Sequence, residues 1–159
     1  MADGRDLDET LMRSFAERWA NLDQFIESVV PFPTGKEDRV VVHLKPAGYP
    51  QWISAVRLEL KIRLNGDMNL HYIEEWSGVT WECRWGRHDN PHNSYEHFHI
   101  PPIVESKKAV DVEYYNPPEG VVDIAFQFVE DRAGDLWASE KVYPNSYTFD
   151  WEYGADIRR

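Results

Sequence analysis

The segment that most restricts the fold is 56–64, where Val56, Leu58, Leu60, Ile62 and Leu64 alternate with Arg57, Glu59, Lys61 and Arg63. A period of two sorts the apolar set to one side and the charged set to the other, as in a strand with one buried face. Asn65-Gly66 follows at once and accepts the positive φ angles of a tight hairpin turn, so 68–76 is the next strand. Ser77-Gly78 turns the chain again. Val79, Trp81, Cys83 and Trp85 then share one face, and Thr80, Glu82 and Arg84 the opposite one. The result is an antiparallel meander whose apolar face must be covered.

Helices at both ends supply the cover. Asp6 with Glu9 has the form of a capping box, and Leu7, Leu11, Phe15, Trp19, Leu22, Phe25 and Ile26 recur at helical spacing, which predicts a helix over about 7–29. The segment PFPTGKED breaks it, Arg39–Leu44 is a short β-branched strand, and Pro46–Gln51 is a loop. Asp89–Ser94 is dense in turn formers, Tyr95–Ile100 is the returning strand of a hairpin, and Pro101-Pro102 stops it. Asn116-Pro117-Pro118-Glu119 offers a cap and first-turn prolines ahead of Val121, Ile124, Ala125, Phe128 and Val129, a second amphipathic helix ending near Gly134. From Trp137 to Arg159 the chain is aromatic but rich in turn formers, and is expected to dock as an irregular segment with one short strand.

The expected fold class is therefore α+β: an antiparallel sheet of about five strands packed by an N-terminal and a C-terminal amphipathic helix. A chain of 159 residues has room for one such core. The single domain, 1–159, divides into the N-terminal helix and its connection (1–36), the sheet plus helix (37–135) and the aromatic tail (136–159).

Charge narrows the partners. A formal net charge of -11 repels phosphate backbones at long range, which argues against duplex DNA unless a local basic patch outweighs the whole. No apolar run approaches the ~20 residues of a membrane span, and the start MADGRDLDET has neither the basic nor the apolar part of a secretion signal, so the expectation is a cytoplasmic protein with no membrane partner. The single Cys83 cannot close an intramolecular disulfide and, in phase with Trp81 and Trp85, reads as a small core residue. Glu74, Glu75 and Glu82 read as a wet strand face. Trp52, Trp76, Trp81 and Trp85 could stack bases, although core packing explains the last two better.

The concentrated chemical signal is GRHDNPHNSYEHFHIPP, which carries His88, His92, His97 and His99. In an extended segment Tyr95, His97 and His99 project from one face, leaving Phe98 and Ile100 on the other. Tight pairing around Pro91 and His92 sets His99 beside Arg84, His97 beside Gly86 and Phe98 opposite Trp85. Two neighbouring imidazoles can divide general base and general acid duties, with Arg84 or Arg87 stabilising developing phosphate charge. For RNA this means deprotonating a 2′-hydroxyl and protonating the leaving oxygen. The same H-x-H pair could instead hold a divalent metal through His97 and His99 with His88, His92 or Asp89 as third ligand, the pattern of HUH endonucleases, with Tyr143, Tyr147 or Tyr153 as nucleophile. A third reading makes the protein a noncatalytic acidic binding or regulatory module with structural or pH-sensitive histidines.

The order Arg87-His88-Asp89-Asn90-Pro91-His92 followed by His97-Phe98-His99 resembles the TumE-like family of toxins of toxin–antitoxin systems. That family carries an Arg-aromatic-Asp-Asn stretch after a meander, a His-containing turn, closely spaced histidines and a final helix. The resemblance spans about 55–132; His88 stands where the family has an aromatic, and a denser histidine run is reduced to His97 and His99. It implies a toxin with a cognate antitoxin as partner and a site made of Arg87, Asp89, Asn90, His92, His97 and His99. Combined with the residue reading, which adds Arg84, the expectation is a toxin-like ribonuclease acting on RNA without a required cofactor.

Overall fold

A computed structural model of the chain describes residues 3–22, 24–33, 38–102, 104 and 109–139. Its elements, in order, are α1 (Glu9–Ala20), β1 (Ile26–Pro31), β2 (Val40–Leu44), β3 (Ala55–Ile62), β4 (Met68–Trp76), β5 (Val79–Arg87), β6 (Glu96–His99), β7 (Ala109–Asp111) and α2 (Glu119–Ala138). The architecture is α+β. Every strand pairs antiparallel with its sequence neighbour, giving one seven-stranded sheet in the order β1 to β7, two strands more than expected.

The period-two segments behave as their side chains dictate. Val40, Val42, Leu58, Leu60, Leu70, Tyr72, Cys83, Trp85 and Phe98 fall on one face across five strands and join a single buried cluster with both helices. At the β4–β5 turn Ser77 and Gly78 both take positive φ, 43° and 90°, the mirror-image turn whose twist matches a hairpin. Cys83 is buried between the tryptophans as expected. Phe128 of α2 is the plug: it stacks on Trp81 at 6.2 Å and meets Tyr72 and Trp85 edge-on at 5.0 and 5.3 Å. Aromatic pairs at such distances add about 0.5–1.5 kcal/mol each beyond area burial.

The sequence expectations need correction at the helix ends. The first helix stops at Ala20, and 26–31 is the edge strand β1. Met12, Phe15, Ala16 and Trp19 complete the buried stripe, and the β-branched run at Ile26, Val29 and Val30 then pairs with β2 rather than extending the helix. Asp8, not Asp6, caps α1, its side chain accepting from the Leu11 amide at 3.1 Å. Asn116 does not cap α2; its φ is +47° and the helix begins after Pro118 without a side-chain cap. That helix runs past Gly134 to Ala138 because Arg132 and Leu136 on either side are buried.

Glu74 also departs from expectation, for it is fully buried on the core face. It accepts from Arg132 Nε and Nη2 (2.6 and 2.8 Å), Tyr72 Oη (2.7 Å) and Trp76 Nε1 (2.8 Å), while the Arg132 guanidinium lies 3.5 Å from the Trp81 ring centre. A buried carboxylate survives only with such complete pairing. Tyr143, Tyr147, Tyr153 and the proposed tail strand lie outside the described residues.

Candidate functional site on the open face of the sheet

The face away from the helices is polar, and strand register arranges it in rows. One row runs Glu59, His71, Arg84, His99 across β3 to β6; the next runs Lys61, Asn69, Gly86, His97, Asp111 across β3 to β7. The expected pairing of Arg84 with His99, Gly86 with His97 and Trp85 with Phe98 is the pairing observed.

His97 and His99 stand side by side, ring centres 5.1 Å apart and nearly perpendicular, and His88 meets His97 at 4.7 Å. His97 Nδ1 lies 3.1 Å from the Ser94 carbonyl. A carbonyl only accepts, so Nδ1 carries the proton and Nε2 of the neutral ring keeps its lone pair. Nε2 lies over Gly86, where a side-chain carbon would stand 2.6 Å from it. Arg84 Nη2 is 3.1 Å from His99 Nε2, and since guanidinium only donates, that nitrogen is the acceptor. Burial, reinforced by the charges of His88 and Arg84, lowers the His97 pKa despite the opposing pull of the Ser94 carbonyl. Burial also lowers His71, against the raising influence of Glu82, and lowers Arg84. The two central imidazoles are enclosed: His97 and His99 are 1% and 3% exposed.

Two hollows flank them and share Lys61 and Asn69. A cavity of about 140 Å³ is lined by Arg39, Glu59, Lys61, Asn69, His71 and Arg84. A second, of about 300 Å³, is lined by Lys61, Arg63, Asp67, Met68, Asn69, His88 and Asp89. Beneath the first, Glu59 accepts from Arg39 Nη1 at 2.6 Å and Arg57 Nε at 2.8 Å; burial alone would raise its pKa, but these guanidiniums outweigh it and hold the carboxyl below its ordinary range.

The remaining sequence candidates lie around this centre in different ways. Arg87 is in phase with Trp81, Cys83 and Trp85, not with Arg84. Its Nε donates to Glu96 at 2.8 Å, its Nη1 to the Gly66 carbonyl at 2.9 Å, and it stacks over Tyr95 at 4.9 Å. Tyr95 precedes β6 and, held by that stack and by Asp67 Oδ1 at 2.6 Å, leaves the His97 face. Asn90 shapes the hairpin: Oδ1 accepts from the amides of His92 and Asn93 at 3.0 and 2.7 Å. His92 is exposed at its tip. Asp89 lines the larger hollow, and its carbonyl accepts from His88 Nδ1 at 3.1 Å. Among the described residues, no three His, Cys, Asp or Glu side chains converge as metal ligands. His71 and Asn69 do not stand out in the sequence, although the 77–78 turn and the β4–β5 register place His71 beside Arg84 and Asn69 beside Gly86, the neighbour of His97.

No helix among the described residues is long and apolar enough to cross a membrane. The family model described as "Toxin TumE" matches residues 16–133. Neither the curated proteins nor the solved structures contain a match to this chain.

Proposed function

Because the chain belongs to the TumE toxin family, we propose that it is a toxin that acts by cleaving RNA through His97, His99 and Arg84, and that a cognate antitoxin holds it in check. The observation that carries this reading is the side-by-side pair of imidazoles, 5.1 Å apart, with a guanidinium 3.1 Å from one of them.

The chemistry follows from the tautomers. His97 Nε2 takes the proton of a 2′-hydroxyl as that oxygen attacks the adjacent phosphorus. Its lowered pKa keeps the ring neutral and able to accept at pH 7. Arg84 leaves His99 for the phosphate and balances charge on the non-bridging oxygens. His99 Nε2, relieved of that donor, carries the proton delivered to the departing 5′-oxygen as the P–O bond breaks. The products are a 2′,3′-cyclic phosphate and a 5′-hydroxyl end. Each proton transfer contributes roughly 100-fold to 10,000-fold. Both rings are enclosed, so a phosphate reaches them only once they become accessible.

That enclosure favours a second reading, a noncatalytic toxin in which the imidazoles only hold the sheet. The deciding experiment compares wild type with a His97→Gln, His99→Gln double variant of matched melting temperature. Wild type is expected to arrest growth and leave cyclic-phosphate RNA ends, and the variant to do neither. A folded double variant that arrests growth as strongly as wild type overturns the catalytic reading.

A further inference from the structure

We infer that the smaller hollow, between Asn69, His71 and Arg84, is a nucleobase pocket that makes the toxin selective for the base beside the bond it cuts. This rests on the ribonuclease reading above and extends it to substrate selectivity.

Three features point to a heterocycle rather than a phosphate. The first is charge balance. Most cations around the wall are already paired: Arg39 with Asp38 at 2.9 Å and Glu59 at 2.6 Å, Lys61 with Asp38 at 2.7 Å, and Arg57 behind them with Glu59 and Glu75 at 2.8 and 3.1 Å, while Arg84 has no ion pair among the described residues and feels only the nearby charge of Glu82. An anion entering here would meet the carboxylates of Asp38, Glu59, Glu75 and Glu82 alongside the four cations Arg39, Arg57, Lys61 and Arg84, and little net attraction.

The second is the mixed character of the unused groups. Asn69 Oδ1 and Arg84 Nε are buried atoms without a hydrogen-bond partner among the described residues. His71 Nε2 stands 3.3 Å from Glu82 Oε2 but out of hydrogen-bonding line. A buried polar atom left unpaired is costly, and a ligand recovers that cost by pairing it. An acceptor, a donor and an imidazole on one wall complement the edge of a base, which presents both donors and acceptors, whereas a phosphate dianion presents acceptors only.

The third is place and size. The cavity, about 140 Å³, has room for one flat ring system and not for a duplex. Arg84 is its partition: it lines the hollow while its Nη2 reaches His99. A base seated against Asn69 and His71 puts its phosphate on the His99 side of the same guanidinium. The larger hollow, reached past Lys61 and Asn69, leaves room for the neighbouring nucleotide beside His88. Recognition of one unpaired base fits single-stranded RNA, whose bases are free to splay outward.

The test titrates the wild-type protein separately with the four nucleoside 3′-monophosphates and with inorganic phosphate, following the His71 ring and Asn69 side-chain amide signals by NMR. One nucleotide is expected to bind at least about fivefold more tightly than the weakest, and phosphate alone to leave the Asn69 amide unmoved. Asn69→Ala, with Asn69→Ser as a second variant where the first is unstable, is expected to cost the preferred nucleotide about tenfold in affinity and to level the ranking. Equal affinity for all four, phosphate reproducing the Asn69 shift, or a ranking unchanged in both variants overturns the pocket. RNA cleavage by wild type without base preference overturns the pocket and leaves the nuclease reading standing. Base-ranked nucleotide binding by a protein that cleaves no RNA supports the pocket and overturns the nuclease reading.

Discussion

The imidazole of His97 occupies the space a side chain would fill at Gly86: a carbon built there lies 2.6 Å from His97 Nε2 and 3.1 Å from two ring carbons. The two residues face each other across the β5–β6 pair. Absence of a side chain on one strand is thus the condition for an imidazole lying flat on the next.

Gly86→Ala should therefore displace His97. The overpacking is expected to cost about 1–3 kcal/mol in urea denaturation and to abolish RNA cleavage. Adding His97→Ala should return most of the stability and none of the activity. A single variant as stable and active as wild type would contradict the geometry.

The two arginines of the hairpin should separate stability from activity. Arg87 ties Glu96, Gly66 and Tyr95 together, so Arg87→Met is expected to cost about 1–3 kcal/mol. Arg84 is half-buried with its Nε enclosed and unpaired, so Arg84→Met removes a desolvated donor; it should leave stability within about 1 kcal/mol of wild type, or raise it, while ending growth arrest. Denaturation midpoints and growth curves for the pair check this.

How much of this centre was legible beforehand follows from the period of the strands. The alternation at 56–64 and 79–85, with the turns at 65–66 and 77–78, fixes which side chains share a face, and the hairpin register then places His97 on Gly86 and His99 on Arg84. Arg87 was legible too, since it shares the phase of Trp85, but the family motif drew it into the site. Two things escaped. The helical spacing of Leu22, Phe25 and Ile26 aliases with a β-branched edge strand, and only pairing with Val40–Leu44 resolves it. Strand β7 is three residues long, too short to show any period. Glu74 reads as a surface charge until Arg132, 58 residues away, is brought beside it.

The Cys83 thiol is fully buried, and burial pushes its pKa well up. It should be inert to a thiol reagent in the native protein and react at the rate of unfolding. Measured under denaturant, labelling should parallel loss of tryptophan signal; fast labelling of the native protein would mean that the cluster around Trp81 and Trp85 opens.

Arg132→Met leaves the Glu74 carboxylate buried without its guanidinium, and is expected to cost about 3–5 kcal/mol by denaturation. Adding Glu74→Leu should recover only part of this, because Tyr72 Oη and Trp76 Nε1 then lose their acceptor at about 1–3 kcal/mol each. Full recovery would show that neither donor depends on Glu74.

Stability should fall on acidification through the buried imidazoles. Burial, the leading cause for both, sets His71 and His97 below their ordinary value of 6.5 in the folded chain. Below 6.5 the unfolded chain binds protons that the folded chain still refuses, so unfolding gains on each step down in pH until the lowered folded values are reached. Their contribution is whole above 6.5 and lost as pH drops through the folded pKa values, with a slope of at most about 1.4 kcal/mol per pH unit for each histidine. The groups facing them set the balance: Glu82 and Glu59 favour protonation of His71 and Arg84 opposes it, while Arg84 and His88 oppose protonation of His97. Urea denaturation from pH 7.5 to 5 should show this decline, shallower in His97→Gln and His71→Gln. Glu82→Gln should move His71 lower still and steepen the loss; a flatter curve in that variant would reverse the assigned sign.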